Sequence, residues 1–217
     1  MKMPRFPVRL IAVGALLVAA ATTACARRDV PAAPPATSEP AGASAAAPAQ
    51  HDALDGASIF ALDVALTDQD GRHVSLKELG GHPIVAAMVY TSCTSVCPRV
   101  TDDMKAIEQR LSDADRARVR FVLFSLDPAR DTPAAWQKFA HDHHLDSARW
   151  RLLTASDGGE RDLAAVLGLK YQALDNGDVA HSAMIVVLDP AGVVRYRRTG
   201  VNQNLDDVVS ALTSVRG

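Results

Sequence analysis

Two cysteines, Cys93 and Cys97, lie four residues apart directly after an apolar run, residues 84–90, that is typical of a buried strand. The pattern predicts a strand-to-helix turn, with Cys97 at the cap of the helix, where the helix dipole and free N–H groups favour a thiolate. A close thiol pair can bind a soft metal ion, exchange between dithiol and disulfide, or form a structural disulfide. The cysteines alone leave these three chemistries open.

Segments that alternate between strand and helix patterns surround the cysteine pair. A β-hairpin is predicted at the start of the folded region, with its turn at residues 68–71. Strands are predicted over residues 84–90, 119–126, 150–153, 183–188 and 193–198, and helices from Pro98, from Pro133, over 160–167 and over 205–215. This order predicts an α/β fold with a βαβαββα core, a parallel portion in its sheet and an added N-terminal β-hairpin.

The N-terminus has the pattern of a secretory signal. Three basic residues precede an apolar stretch, residues 10–21, which is too short to span a bilayer comfortably. Small residues then lead to Cys25, which is similar to a bacterial lipoprotein signal, in which the chain is cut before the cysteine and that cysteine is acylated. We therefore predict a signal peptide over residues 1–24 and lipidation of Cys25. The alternative is an ordinary signal that is cleaved nearby.

The remaining sequence divides into a tether and one domain. Residues 25–50 are rich in Ala and Pro and have almost no large apolar side chain, so we expect a disordered tether. Residues 51–217 are long enough for one domain with a substantial core. The signal predicts the periplasmic side of a bacterial membrane. A net charge of −2 argues against nucleic-acid binding, and nothing in the sequence demands more than a monomer.

A dithiol between the first core strand and its helix, followed by this element order, resembles the thioredoxin fold. Three ordered motifs resemble the Sco/SenC family of copper proteins over residues 55–215. They are TSCTSVCP at residues 91–98, FSLDPARDTP at residues 124–133, and VAHS at residues 179–182 leading into VLDPAG at residues 187–192.

The resemblance implies an extracytoplasmic copper chaperone that serves assembly of the copper A centre of cytochrome c oxidase, with copper held by Cys93, Cys97 and His181. The implied partners are the oxidase subunit that bears the copper A site and, as further candidates, other copper chaperones. Two thiolates and one imidazole suit copper better than structural zinc, which prefers a fourth protein ligand. The alternative for His181 is a histidine that only precedes its strand.

Asp127 begins a polar loop after the second core strand. Loops at the carboxyl ends of parallel strands lie at one edge of a sheet, so Asp127 is a candidate for contact with the metal ligands or with a partner. The alternative is local: a turn at Asp127 and Pro128, and capping of the next helix by Asp131 or Thr132.

The sequence departs from the family pattern at two places. The family commonly has Pro-Asp where this chain has Thr94 and Ser95, and commonly has Asp before the histidine where this chain has Ala180. Two fewer carboxylates lower the negative charge around the expected metal site. We expect these changes to affect the choice of partner and the copper affinity more than the ligand set.

A thiol–disulfide oxidoreductase that reduces cysteines of an apo-oxidase or of another envelope protein is the rival function. General thioredoxin-like oxidoreductases use a two-residue spacer between their cysteines and a cis-proline in the facing loop. Here the spacer has three residues, and no proline occurs between Pro133 and Pro190. The pattern therefore favours metal binding over general dithiol exchange and leaves open the reduction of one specific partner.

Overall fold

A computed structural model describes residues 56–156, 158–174 and 179–215. The predicted signal peptide, Cys25 and the tether lie outside the described residues. Within these ranges, seven strands form one large sheet and two strands form a small one. In chain order the strands are β1 (Leu66–Asp68), β2 (His73–Val74), β3 (Ile84–Val89), β4 (Arg120–Ser125), β5 (Trp150–Ala155), β6 (Tyr171–Ala173), β7 (Val179–His181), β8 (Met184–Leu188) and β9 (Val194–Thr199).

Five α-helices connect or follow these strands in the described part of the chain. They are α1 (Val96–Arg110), α2 (Asp113–Arg118), α3 (Pro133–Asp142), α4 (Gly159–Leu167) and α5 (Asp206–Ser214). Two short 3-10 helices, Ile59–Ala61 and Leu76–Leu79, precede β3. None of the helices in these ranges is both long enough and apolar enough to cross a bilayer.

The large sheet has the order β2-β1-β5-β4-β3-β8-β9. Strands β3, β4 and β5 are parallel, with Ile84 opposite Arg120 and Phe121 opposite Trp150. Strand β8 runs antiparallel to β3, and β9 runs antiparallel to β8. The sheet is therefore mixed, and the predicted thioredoxin-like α/β fold is confirmed.

Burial explains why the central strands form. All six residues of β3 and the last five of β4 are buried, as expected for strands that are covered on both faces. Phe121 of β4 stacks on Trp150 of β5, with ring centroids 4.9 Å apart. Trp136 of α3 is also fully buried, and its indole N–H donates a hydrogen bond to Thr154 Oγ1 on β5. These aromatic contacts fix α3 and the parallel strands relative to one another.

The short N-terminal strands lie at one edge of the large sheet. Strand β1 pairs antiparallel with β2, with Leu66 opposite Val74, and also with β5, with Leu66 opposite Ala155. Asp68 holds the turn between β1 and β2, because its carboxylate accepts the N–H groups of Asp70 and Arg72, each at 2.9 Å.

The ends of two helices follow ordinary capping chemistry. Thr132 caps α3, since its Oγ1 accepts the N–H of Ala135 at 3.2 Å, and Pro133 follows at the first helical position. Helix α4 ends at Gly168, whose φ of +79° is a left-handed value that favours glycine. The chain then enters the small sheet, in which β6 and β7 are antiparallel.

Candidate metal centre

Cys93, Cys97 and His181 come together although the second cysteine and the histidine are 84 positions apart in the sequence. Their two sulfur atoms and one ring nitrogen all lie within 4.8 Å of one another. Within the described ranges, this is the one group of three or more Cys, His, Asp or Glu side chains that could hold a metal ion. The sequence-predicted ligand set is therefore assembled in space.

Strand pairing brings the three residues together. Cys93 lies in the turn after β3, where its N–H donates to the Tyr90 carbonyl at 3.2 Å, and Cys97 lies in the first turn of α1. Because β8 is antiparallel to β3, with Ala87 opposite Ile185, the start of β8 lies beside the end of β3. His181 is the last residue of β7, just before β8, and so it reaches the cysteine turn.

Cys93 is the cysteine with the greater tendency to ionise. Burial opposes its ionisation, but hydrogen bonds with the Cys97 thiol, the Cys97 backbone N–H and Ser95 outweigh this effect and lower the pKa of Cys93 to about 7. The Cys97 N–H lies 3.4 Å from Cys93 Sγ, and Ser95 Oγ lies 3.8 Å from it. A backbone N–H from the first turn of a helix is well placed to stabilise a thiolate.

The prediction of Cys97 as a thiolate at the helix cap is wrong. Helix α1 begins at Val96, two residues before Pro98, so Ser95 is the cap residue and Cys97 is the second helical residue. The Cys97 side chain is 0% exposed. Burial, reinforced by the hydrogen bond with Cys93, raises the pKa of Cys97, because a thiolate there would lie in apolar surroundings beside a second one. Cys97 is therefore a neutral thiol in the metal-free protein.

His181 presents an unprotonated nitrogen to the cysteines. Its Nδ1 lies 3.2 Å from the Ser182 carbonyl oxygen, which can only accept, so Nδ1 carries the ring proton. Its Nε2 lies 3.5 Å from Cys97 Sγ. Burial lowers the pKa of His181, which keeps the imidazole neutral. A histidine held in this tautomer by a backbone carbonyl has the arrangement that is usual for metal-binding histidines.

Tyr90 packs beside Cys93 and His181, and sequence reasoning missed it. Its ring contacts His181 edge-on, with centroids 6.0 Å apart. Burial, followed by the hydrogen bond with Cys93, raises the pKa of Tyr90 to about 12, while a hydrogen bond from the Val179 backbone opposes the shift. Tyr90 thus connects the cysteine turn to β7 as a neutral side chain.

Asp127 lies outside the group of three. Its carboxylate forms an ion pair with Arg130, and its N–H donates to Ser125 Oγ at 2.9 Å. Thr132 is the cap of α3, as the local alternative allowed, but Asp131 is not. Asp131 is instead buried and accepts hydrogen bonds from Thr91. Burial raises the pKa of Asp131, and hydrogen bonds from Ser125 and Thr91 oppose this shift.

One side of the centre is open. A cavity of about 240 Å³ lies between the cysteine turn and α3, where Cys93 and Thr91 face Phe139 and His143. Thr94, Ser95 and Ala180, at which the chain departs from the family pattern, are exposed. An approaching molecule therefore reaches Cys93 before the fully buried Cys97.

The pKa difference between the cysteines predicts a selective alkylation. In the reduced, metal-free protein, iodoacetamide should modify Cys93 with a rate that rises with pH around a midpoint near 7, while Cys97 stays unmodified. The reason is that a lowered pKa leaves Cys93 as a thiolate above pH 7, whereas Cys97 keeps its proton. Peptide mass spectrometry after timed labelling measures both rates.

Ser95→Ala is the matched variant for this measurement. It removes the hydroxyl 3.8 Å from Cys93 Sγ and should move the midpoint upward without exposing Cys97. A wild-type midpoint at the ordinary thiol value of about 8.5, or faster labelling of Cys97, would contradict the assignment.

A family sequence model and a curated relative indicate the same protein family for this chain. The sequence model of the SCO1/SenC family matches residues 53–215. A SCO1 protein homolog of Bacillus subtilis is 31% identical over 151 residues, which cover 68% of this chain and 78% of that protein.

Solved structures show the same relationship. The crystal structure of a SCO1/SenC family lipoprotein from Bacillus anthracis has a TM-score of 0.63 at 27% identity, and the match covers 71% of this chain and 94% of that one. BsSco, a member of the Sco family of cytochrome c oxidase assembly proteins in which a disulfide switch was identified, has a TM-score of 0.60 at 29% identity, covering 70% and 90% of the two chains. The residues that the family model matches, 53–215, include the cysteine turn, the Asp127 loop and His181. This chain therefore belongs to the SCO1/SenC family.

Proposed function

We propose that this protein is an extracytoplasmic, membrane-tethered copper-binding protein that delivers copper to the copper A centre during assembly of cytochrome c oxidase. Copper is its cargo, and Cys93, Cys97 and His181 hold it. The observation that carries the proposal is the convergence of two cysteine sulfurs and one imidazole nitrogen within 4.8 Å. Membership of the SCO1/SenC family supports the same function.

The donor types suit copper. Thiolates are soft ligands and imidazole is borderline, a combination that favours copper among the common biological metals. Structural zinc sites use four protein ligands, and in the described ranges no fourth Cys, His, Asp or Glu joins the group. A site with three protein donors also leaves room for a ligand from another protein, which suits cargo that must be passed on.

The protonation states suit capture near neutral pH. Metal binding requires deprotonated sulfur and neutral imidazole. The lowered pKa of Cys93 and the lowered pKa of His181 leave both groups close to this state at pH 7. Cys97 is the one donor that must release a proton, so copper binding should release about one proton per chain above pH 7.

The recipient and the location rest on the family and on the N-terminus. BsSco, at 29% identity, belongs to a family of cytochrome c oxidase assembly proteins, which supports an oxidase subunit as the recipient. The similar protein from Bacillus anthracis is a lipoprotein, which supports a lipid anchor, and the signal pattern of the N-terminus supports the periplasmic side of the membrane. The exposed departures at Thr94, Ser95 and Ala180 lie where such a partner would approach the metal site.

Copper titration tests the ligand set. The reduced protein should bind one copper ion per chain under anaerobic conditions. His181→Ala should weaken binding by more than the roughly 10–100-fold that is typical of losing an outer-shell residue, because it removes a donor atom. Competition with a chromophoric copper chelator measures the affinities.

His73→Ala is the control, because His73 is exposed and lies in β2 at the far edge of the sheet. It should bind copper as the wild type does. Full affinity in His181→Ala, or the absence of a tight site in the wild type, would refute the proposal.

Reduction of a specific partner is a second candidate function, and the lowered pKa of Cys93 favours it. In such a reaction the Cys93 thiolate attacks the partner's disulfide and releases one partner thiolate. Cys97 then attacks Cys93 Sγ, which releases the second thiolate and leaves a Cys93–Cys97 disulfide that an external thiol must reduce. Two electrons pass to the partner.

In an assay with insulin as the disulfide substrate and dithiothreitol as the reductant, we expect the protein to give no turnover above background. The reason is that Cys97 is fully buried and its pKa is raised, which slows the second attack. Insulin precipitation over time measures the rate. Multiple turnovers that disappear in Cys93→Ser would establish the oxidoreductase as a function of the same cysteines.

Lipidation is tested at the mature N-terminus. When the full chain is produced in a bacterium, the mature protein should begin at an acylated Cys25, and Cys25→Ser should abolish acylation and release the protein from the membrane fraction. Intact-mass and N-terminal peptide mass spectrometry measure the modification. An unmodified N-terminus other than Cys25 would refute the anchor.

A further inference from the structure

Asp131 is a buried carboxylate that serves only as a hydrogen-bond acceptor. It is 1% exposed. Its Oδ1 accepts the Thr91 N–H at 2.9 Å and the Thr91 hydroxyl at 2.7 Å, and its Oδ2 accepts the Ser125 hydroxyl at 2.6 Å. A buried acceptor with three donors is well satisfied, and removing it would leave those donors without this partner.

These donors lie at the ends of adjacent parallel strands. Thr91 follows β3 and stands two residues before Cys93, while Ser125 is the last residue of β4. The Asp131 carbonyl also accepts the hydroxyl of Thr154 on β5 at 2.7 Å. One residue therefore joins the carboxyl ends of three strands to the segment that enters the cysteine turn.

Helix capping does not account for this arrangement. Thr132 supplies the side-chain cap of α3, so the helix has its cap without the Asp131 carboxylate. Within the cysteine turn, the bond from the Cys93 N–H to the Tyr90 carbonyl, at 3.2 Å, and the longer contacts of its sulfur are local and do not reach the large sheet beyond β3. The two bonds from Thr91 to Asp131 fix the turn to the sheet.

We propose that Asp131 is a positioning residue for the metal centre: through Thr91 it holds Cys93 at the distance from Cys97 and His181 that a shared metal ion requires. The metal part of this inference rests on the proposed function. Loss of an outer-shell group that orients a ligand typically weakens metal binding by about 10–100-fold.

Asp189 offers a matched control. It is also buried, at 8% exposure, and its carboxylate accepts the N–H groups of Ala191 and Val193 at 2.9 and 3.0 Å and pairs with Arg195. It follows β8, whose last residue, Leu188, lies opposite Ile84 at the start of β3. Asp189 therefore holds a turn at the opposite end of β3 from the cysteines.

The test compares Asp131→Ala, Thr91→Val and Asp189→Ala in the full chain. Three quantities are measured: the free energy of unfolding in urea, the copper affinity by chelator competition, and the rate of Cys93 alkylation by iodoacetamide at pH 7 without metal. Asp131→Ala should weaken copper binding by about 10–100-fold, and Thr91→Val by about tenfold. Both should slow alkylation by about fivefold, because a displaced Cys93 would lose the hydrogen bond that the Cys97 N–H donates to its sulfur.

The controls separate positioning from general stability. Asp189→Ala should lower the free energy of unfolding and leave copper affinity and Cys93 alkylation at wild-type values. Asp131→Asn should restore most of the affinity, because an amide oxygen can still accept from Thr91. If Asp131→Ala changes affinity and alkylation no more than Asp189→Ala does, the inference is overturned.

Two further outcomes are also decisive. If the wild type binds no copper, but Asp131→Ala and Thr91→Val slow alkylation of Cys93 and Asp189→Ala does not, positioning stands and the proposed function fails. If Asp131→Ala does not fold, copper affinity and Cys93 alkylation are compared between Thr91→Val and the wild type. Thr91→Val removes one hydroxyl and keeps the side-chain shape. Wild-type affinity and alkylation in Thr91→Val would then overturn the inference.

Discussion

The antiparallel pairing of β8 with β3 is the constraint on which the metal centre depends. It places the start of β8 beside the end of β3, so the histidine before one strand meets the cysteines after the other. A shift of the pairing by one residue would turn every side chain of β8 to the opposite face of the sheet. All five residues of β8 are buried, so the core resists such a shift and fixes the position of the ligands.

Burial gives the two cysteines different pKa values and different exposure to solvent. The same helix start donates a backbone N–H to Cys93 and encloses Cys97 completely. Cys93 consequently has a lowered pKa and lines the cavity beside α3, while Cys97 is fully buried and has a raised pKa. This asymmetry suits metal transfer and thiol exchange alike, and the histidine beside Cys97 adds the donor that distinguishes a metal site from a simple dithiol.

Much of this architecture could be predicted from sequence because apolar runs and capping residues report local structure directly. The run at residues 84–90 became β3, Gly168 ended α4, and the ligand set came together as the motifs implied. The protonation of Cys97 could not be predicted, since it depends on where α1 begins and on burial by distant elements. Helix α2 was missed because none of its residues is buried and it therefore has no apolar periodicity. The sequence offers Asp131 only as an alternative to Thr132 for capping and does not indicate its contact with Thr91, because that contact joins residues 40 positions apart.

The three donor residues lie in segments that differ in local stability, because His181 belongs to the small β6–β7 sheet and the cysteines do not. Cys93 follows the fully buried strand β3, and Cys97 lies in the helix that comes after it. His181 ends a strand of three residues that pairs with one other strand of three; within its strand, Val179 is partly buried and Ala180 is exposed. Local opening of such a ribbon requires far less free energy than global unfolding. A bound ion would therefore be held less firmly by its nitrogen donor than by its two sulfur donors.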